Sequence, residues 1–255
     1  MLDPTLIRES QQLVIDLFRQ LRPELLSVFG KIEYTKKADR SKVTVWDVKV
    51  EETLQKALAK QFPAIGFEGE ETAVTGSTET YWLVDPIDGT SSFIRGLRYC
   101  TNMAALVHKG EAVAAVIYDF VHDELYTAIK GEGAYKDGER LSVATHRPID
   151  DSVIYSFSRS LFGHVREALG ALKMRALLTM GAAGHTYGLL AEGKIDGVVV
   201  LDSMVGKYDN APGVLIAEEA GAVVISYDDK TGVDRKEFII ATPKVAKAIE
   251  HSGLF

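Results

Sequence analysis

The sequence predicts a mixed α/β fold. It forms one domain over residues 1–255, with halves at about 1–145 and 146–255. Three observations carry this. Two helical patterns open the chain. A block of alternating segments separated by tight-turn residues follows, and reads as an antiparallel meander. Beyond residue 146, strand-like and helix-like segments alternate. A chain of 255 residues can bury a substantial core.

Asp3-Pro4 is a helix start, since Asp3 can cap and proline at the first helical position loses no hydrogen bond. Ile7, Val14, Phe18, Leu21, Leu25 and Val28 continue an apolar stripe to Gly30, and Pro23 is expected to kink or divide it. Residues 31–42 are polar and basic, with Lys36, Lys37, Asp39, Arg40 and Ser41. They read either as a solvated loop or hairpin or as a mobile flap over an anionic substrate. Val43-Thr44-Val45 is strand-like, and a second helix is expected from about Asp47 to residue 61.

Ile65-Gly66-Phe67 reads as a buried strand, and Glu68-Gly69-Glu70-Glu71 follows at once. Such a run is either a solvated turn or a functional cluster. Trp82-Leu83-Val84 is a second apolar strand, expected to stop at Asp85-Pro86-Ile87-Asp88-Gly89-Thr90. Residues 91–96 read as a short turn. Alternating segments at 102–107, 112–118 and 124–128 are separated by Lys109-Gly110 and Val121-His122-Asp123.

In the second half, strands are expected at 153–157, 176–179, 197–201 and 238–241. Helices are expected at 165–172, from Gly181-Ala182-Ala183-Gly184 to about 192, from Asp209 to Gly221, and at 244–249.

The formal charge of −7 argues against broad nucleic-acid binding. No run has the length of a membrane span, and the first residues lack the basic-then-apolar order of a secretory signal. Cys100 is the one cysteine, which excludes an internal disulfide and makes a reducing cytoplasm the simplest home. The six histidines are scattered along the chain and read as surface or core residues.

The acids Asp47, Glu70, Asp85, Asp88 and Asp209 each end or begin an element. Asp209 alone reads more readily as an N-cap than as a ligand. Converging carboxylates raise one another's pKa unless cations neutralise them. Hard oxygen donors without a cysteine or histidine cluster select Mg²⁺, Ca²⁺ or Mn²⁺ over zinc. A glycine turn beside them offers backbone N–H groups to an anion.

Asp85-Pro86-Ile87-Asp88-Gly89-Thr90, with Gly69-Glu70-Glu71 upstream and Tyr208-Asp209 downstream, resembles the inositol monophosphatase family. This is a Mg²⁺-dependent, lithium-sensitive group of sugar phosphatases. The match runs from Val43-Thr44-Val45-Trp46-Asp47 to Glu218-Glu219-Ala220-Gly221. The resemblance implies a layered αβαβα sandwich of the inositol monophosphatase and fructose-1,6-bisphosphatase type. It implies a cytoplasmic, homodimeric phosphomonoesterase acting on a small phosphorylated alcohol or sugar, inositol 1-phosphate foremost. Alternatives are histidinol phosphate, fructose 1,6-bisphosphate, NADP and 3′-phosphoadenosine 5′-phosphate, or a non-catalytic binding module. Two or three Mg²⁺ ions, or Mn²⁺, are implied. By resemblance Glu70, Asp85 and the Ile87 carbonyl hold the first ion, and Asp85, Asp88 and Asp209 the second. A third, looser ion leans on Glu70. Gly89 and Thr90 bind phosphate, and Asp47 with the Thr90 hydroxyl deprotonates water. Substrate contacts fall to Asp88, Ala182, Ala183 and Asp202.

The chain departs from the family pattern in places. Ser91-Ser92 stands for Thr-Asn, Tyr208 for Trp, and Asp202 for a longer Glu. Asp202 reads equally as a sugar contact or a strand-end turn residue.

Overall fold

The computed structural model describes residues 2–37, 41–201 and 205–253. Helix α1 (Pro4–Val28) is capped by Asp3, whose side chain accepts from Thr5 N. It runs through Pro23 undivided. Its buried face, Val14, Phe18, Leu21 and Leu25, keeps helical spacing across the proline, so packing outweighs one lost backbone bond. Strands β1 (Thr35–Lys36) and β2 (Lys42–Val43) form a hairpin, with Lys37 and Ser41 beyond the paired residues. Asp39 and Arg40, part of the segment read as either a solvated loop or hairpin or a flap, lie outside the described residues. Helix α2 (Val45–Gln61) starts two residues earlier than expected, because Thr44 closes a capping box with Asp47.

Strands β3 (Gly66–Gly69) and β4 (Thr80–Asp88) pair in parallel. Strand β4 runs on past Asp85, where the sequence suggests a stop, and every residue in it is buried. Pro86 is accommodated because the pairing with β5 shifts register between Asp85 and Asp88. Residues 91–96, expected as a turn, fall for the most part in the short helix α3 (Thr90–Arg95). The meander follows as β5 (Thr101–His108), β6 (Glu111–Asp119), β7 (Glu124–Ile129), β8 (Gly133–Lys136) and β9 (Glu139–Arg140).

The second half holds β10 (Val153–Ser156), α4 (Phe162–Ala171), β11 (Arg175–Leu178), α5 (Ala183–Ala191) and β12 (Gly197–Val200). Then come α6 (Lys207–Glu219), β13 (Val223–Ser226), β14 (Phe238–Ala241) and α7 (Pro243–Ser252). Strand β13 is absent from the sequence reading. It alternates weakly and stays partly exposed, so it carries little apolar signal.

Seven strands form one sheet in the order β3-β4-β5-β6-β7-β8-β9, and five form another in the order β11-β10-β12-β14-β13. Alternation along the strands sorts the core into layers. Trp82, Val84, Leu106 and Val116 face α1 and α2. The opposite face of that sheet, with Met103, Ala115 and Ile117, packs with α5 and α6 against Val198, Val200 and Ile240 of the smaller sheet. Val199 and Ile239 turn outward onto α4 and α7. The order is therefore α1α2, large sheet, α5α6, small sheet, α4α7. Each fully buried side chain such as Trp82 or Leu54 contributes roughly 1.5–3 kcal/mol relative to exposure. Helix α6 runs through the middle layer, which brings its first turn to the end of β4.

Candidate active site

Residues three apart in a regular strand point to opposite faces. The irregularity between Asp85 and Asp88 offsets that, and both carboxylates reach the same place. Asp209 joins them from the first turn of α6, and one oxygen from each of the three lies within 4.8 Å of the others. Each carboxylate is held by the backbone. Asp85 Oδ1 accepts from Ile87 N at 3.1 Å. Asp88 accepts from Ala183 N at 2.9 Å, Gly184 N at 2.8 Å and the Thr101 hydroxyl at 2.9 Å. Asp209 is not the N-cap of α6. That position is Gly206, whose N–H donates to Asp209 Oδ2 at 2.7 Å.

The three carboxylates resist ionisation. Burial drives the Asp85 carboxyl well above its ordinary range, and the negative charges of Glu70, Asp209 and Asp88 add to it. Burial raises Asp88 as well, against the hydrogen bonds from Ala183, Gly184 and Thr101. Asp209 is pushed up to about 8 by burial and then by Asp88 and Glu70. Among the described residues no lysine or arginine pairs with any of the three. Buried carboxylates packed against one another without a cation are a donor set for a divalent one.

Asp47 sits in the first turn of α2 and is 2% exposed. Its Oδ2 accepts from Thr44 N at 2.7 Å and Thr44 Oγ1 at 2.6 Å. Burial nevertheless pushes its carboxyl up to about 7. Glu70 lies one residue past β3, close enough for its charge to act on Asp47, Asp85 and Asp209. Its Oε1 is engaged by Lys37 Nζ at 3.0 Å, and the same amine pairs with Glu71. Beneath this turn the fully buried Glu51 accepts from Glu71 N at 2.8 Å. Glu68 pairs instead with Lys207 at 2.6 Å.

Gly89 links β4 to α3 at φ +78°, and a Cβ there would meet the Tyr99 carbonyl oxygen at 2.6 Å. Glycine therefore allows the turn that places the first N–H groups of α3 beside Asp88. The Thr90 hydroxyl donates to the Ile87 carbonyl at 3.0 Å, while Asp47 is engaged by Thr44. Asp47 and Thr90 share no direct hydrogen bond here.

Asp88, Ala183 and Asp209 open into a cavity of about 200 Å³ that is also lined by Phe157, Arg159, Thr179, Gly181 and Val205. Ala182 is buried behind it, and Asp202 lies outside the described residues. Arg159 has no place in the sequence reading, and Lys37 appears there only within the basic segment 31–42, not as a partner of Glu70. A signal existed for Arg159. Phe157, Arg159, Thr179 and Gly181 follow the carboxyl ends of β10 and β11, a pair of parallel strands, where ligands collect in α/β sheets.

The model of the inositol monophosphatase family matches residues 6–252. The chain is 32% identical to an inositol-1-monophosphatase of Rhizobium meliloti over 214 residues, 80% of this chain and 76% of that one. It is 30% identical to a fructose-1,6-bisphosphatase/inositol-1-monophosphatase of Aquifex aeolicus over 220 residues, 80% of this chain and 81% of that one. Among solved structures, an IMPase of Thermotoga maritima superposes with a TM-score of 0.83 at 25% identity, covering 96% of this chain and 98% of that one.

Proposed function

The chain belongs to the inositol monophosphatase family, and from that premise we propose a Mg²⁺-dependent phosphomonoesterase whose foremost substrate is inositol 1-phosphate. The observation that carries this is the buried pair Asp85 and Asp88 with the half-buried Asp209 beside the Gly89-Thr90 turn. Glu70, Asp85 and the Ile87 carbonyl would hold one ion, and Asp85, Asp88 and Asp209 another; a third would lean on Glu70. Bound there, the ions supply charge neutralisation for the phosphoryl group and acidification of water.

The chain's own groups do the rest. The N–H groups of Gly89 and Thr90 receive phosphoryl oxygens and fix the phosphorus for in-line attack. Asp47 takes the proton from the attacking water, and a carboxylate with a pKa near 7 is matched to that task at neutral pH. For the Thr90 hydroxyl to relay that proton it must leave the Ile87 carbonyl, which also frees that carbonyl as a ligand. The water oxygen bonds to phosphorus, the ester P–O bond breaks and the departing alkoxide takes a proton from water to leave as the alcohol, without a phosphoenzyme. Asp88, Ala182, Ala183 and Asp202 are proposed to face the alcohol.

Arg159 in the cavity favours a second reading, a substrate with another anionic group such as fructose 1,6-bisphosphate. A phosphate-release panel with Mg²⁺ decides between the two. It compares inositol 1-phosphate, fructose 1,6-bisphosphate, histidinol phosphate, NADP and 3′-phosphoadenosine 5′-phosphate. Highest kcat/KM on inositol 1-phosphate supports the first reading. Preference for bisphosphates supports the second, and tight phosphate binding without turnover on any of them overturns both. We place the enzyme in the cytoplasm as a homodimer. Leu177, Leu178 and Met180, exposed on and just beyond the edge strand β11, are surface that a second copy would cover. Light scattering at the monomer mass would contradict the dimer.

A further inference from the structure

Away from the carboxylate trio, the turn between β6 and β7 meets the start of α5. Three potential ligands converge there: Asp119, His122 and His185, with one donor atom of each within 4.8 Å of the others. Asp119 Oδ2 lies 2.7 Å from His122 Nδ1 and 3.2 Å from His185 Nε2. Tetrahedral zinc with bonds near 2.0–2.1 Å places its ligands about 3.4 Å apart. These two separations need to change by less than an ångström to match.

Three further features mark the cluster as more than a hydrogen-bonded turn. The Nε2 atom of His185 is buried and makes no hydrogen bond, although it lies close to Asp119. A buried polar atom beside a carboxylate but without a hydrogen bond is costly, and a metal shared with Asp119 would satisfy it. Asp119 is 2% exposed and oriented through its other oxygen, which accepts from Val121 N at 3.0 Å and His122 N at 2.9 Å. Such backbone support is how ligating carboxylates are held. His122 is exposed and gives an ion a route in from solvent.

We propose that Asp119, His122 and His185 form a second metal site, for Zn²⁺ or a similar borderline ion, with one coordination position left to water or another ligand. Two imidazoles and one carboxylate distinguish it from the trio, whose all-oxygen donors suit Mg²⁺. The ion would tie the β6–β7 turn to α5 one residue beyond the N–H groups of Ala183 and Gly184 that hold Asp88. It would therefore steady the amides that orient a carboxylate of the trio.

The test is calorimetric titration of Zn²⁺ into the chelator-treated protein in millimolar Mg²⁺, which competes with zinc at the trio. One Zn²⁺ per chain should bind with micromolar or tighter affinity. His185→Asn and, separately, His122→Ala should each weaken binding at least tenfold, while Asp85→Asn should not. His122 is exposed on a turn, so its variant tests the site even if His185→Asn fails to fold. Co²⁺ in place of Zn²⁺ should give visible d–d bands that both histidine variants lose. Displacement of Zn²⁺ by Mg²⁺, or unchanged binding in both histidine variants, would overturn the proposal. The readout is metal binding alone, so it stands or falls apart from the phosphatase reading.

Discussion

Replacing Asp47 by asparagine should move stability and activity in opposite directions. The carboxyl titrates at about 3.8 in an unfolded chain and about 7 when folded. A raised folded pKa means that stability is fully present below 3.8 and declines as pH rises to about 7, where it levels off. The interval is about three pH units, and at about 1.36 kcal/mol each it amounts to roughly 4 kcal/mol. Asparagine keeps an oxygen for the Thr44 N–H and hydroxyl but carries no buried charge. The folded value of about 7 already sets the two Thr44 hydrogen bonds against burial, so nothing further is subtracted for them. The net gain at pH 8 is therefore on the order of 4 kcal/mol. Urea unfolding in chelator from pH 4 to 9 should show the variant-minus-wild-type difference climbing to pH 7 and then flat. Phosphate release should fall by about 10²–10⁴ with loss of the base. A pH-independent difference, or a variant less stable than wild type at pH 8, would refute the reasoning.

Lys37→Ala removes the amine that competes for Glu70 and Glu71, a partly exposed contact of about 1 kcal/mol. The Mg²⁺ concentration for half-maximal activity should drop by about fivefold, and a rise would show that Lys37 assists the metals instead. Gly89→Ala forces a Cβ against the Tyr99 carbonyl at positive φ. The αL conformation alone costs roughly 1–2 kcal/mol, so melting should fall by about 4 °C or more. An unchanged melting temperature would mean that the turn is not as described. Arg159→Ala should raise KM roughly tenfold with kcat little changed, and most for substrates with a second phosphate. An equal loss on every substrate would remove Arg159 from specificity.

The layers were legible because the apolar periods change cleanly from helical spacing in α1 and α2 to alternation in the meander. The acids stood out because Asp47, Glu70, Asp88 and Asp209 lie at or near element ends, Asp85 falling inside β4, and because the chain order of the five resembles one family. Local pattern failed where tertiary contacts decide. Pro86 suggested the end of a strand, yet pairing with β5 carries β4 on to Asp88 with a shift of register. Asp209 looked like a cap, but Gly206 takes that position and leaves the carboxylate facing Asp85 and Asp88. Lys37 reaches Glu70 across 33 residues, which no window of sequence reveals. The convergence of Asp119, His122 and His185 was hidden for the same reason. Scattered histidines read as ordinary until β6 and α5 are packed together.

The central claim is that the trio Asp85, Asp88 and Asp209 holds the metal that makes this a phosphatase, with Asp85 proposed to serve both ions. Mg²⁺-dependent phosphate release by Asp85→Asn, with folding checked by circular dichroism, tests it most directly. Asparagine keeps the shape and removes the charge that the ions need. The account expects turnover lost at every Mg²⁺ concentration in a folded protein; wild-type turnover with unchanged Mg²⁺ dependence would contradict it.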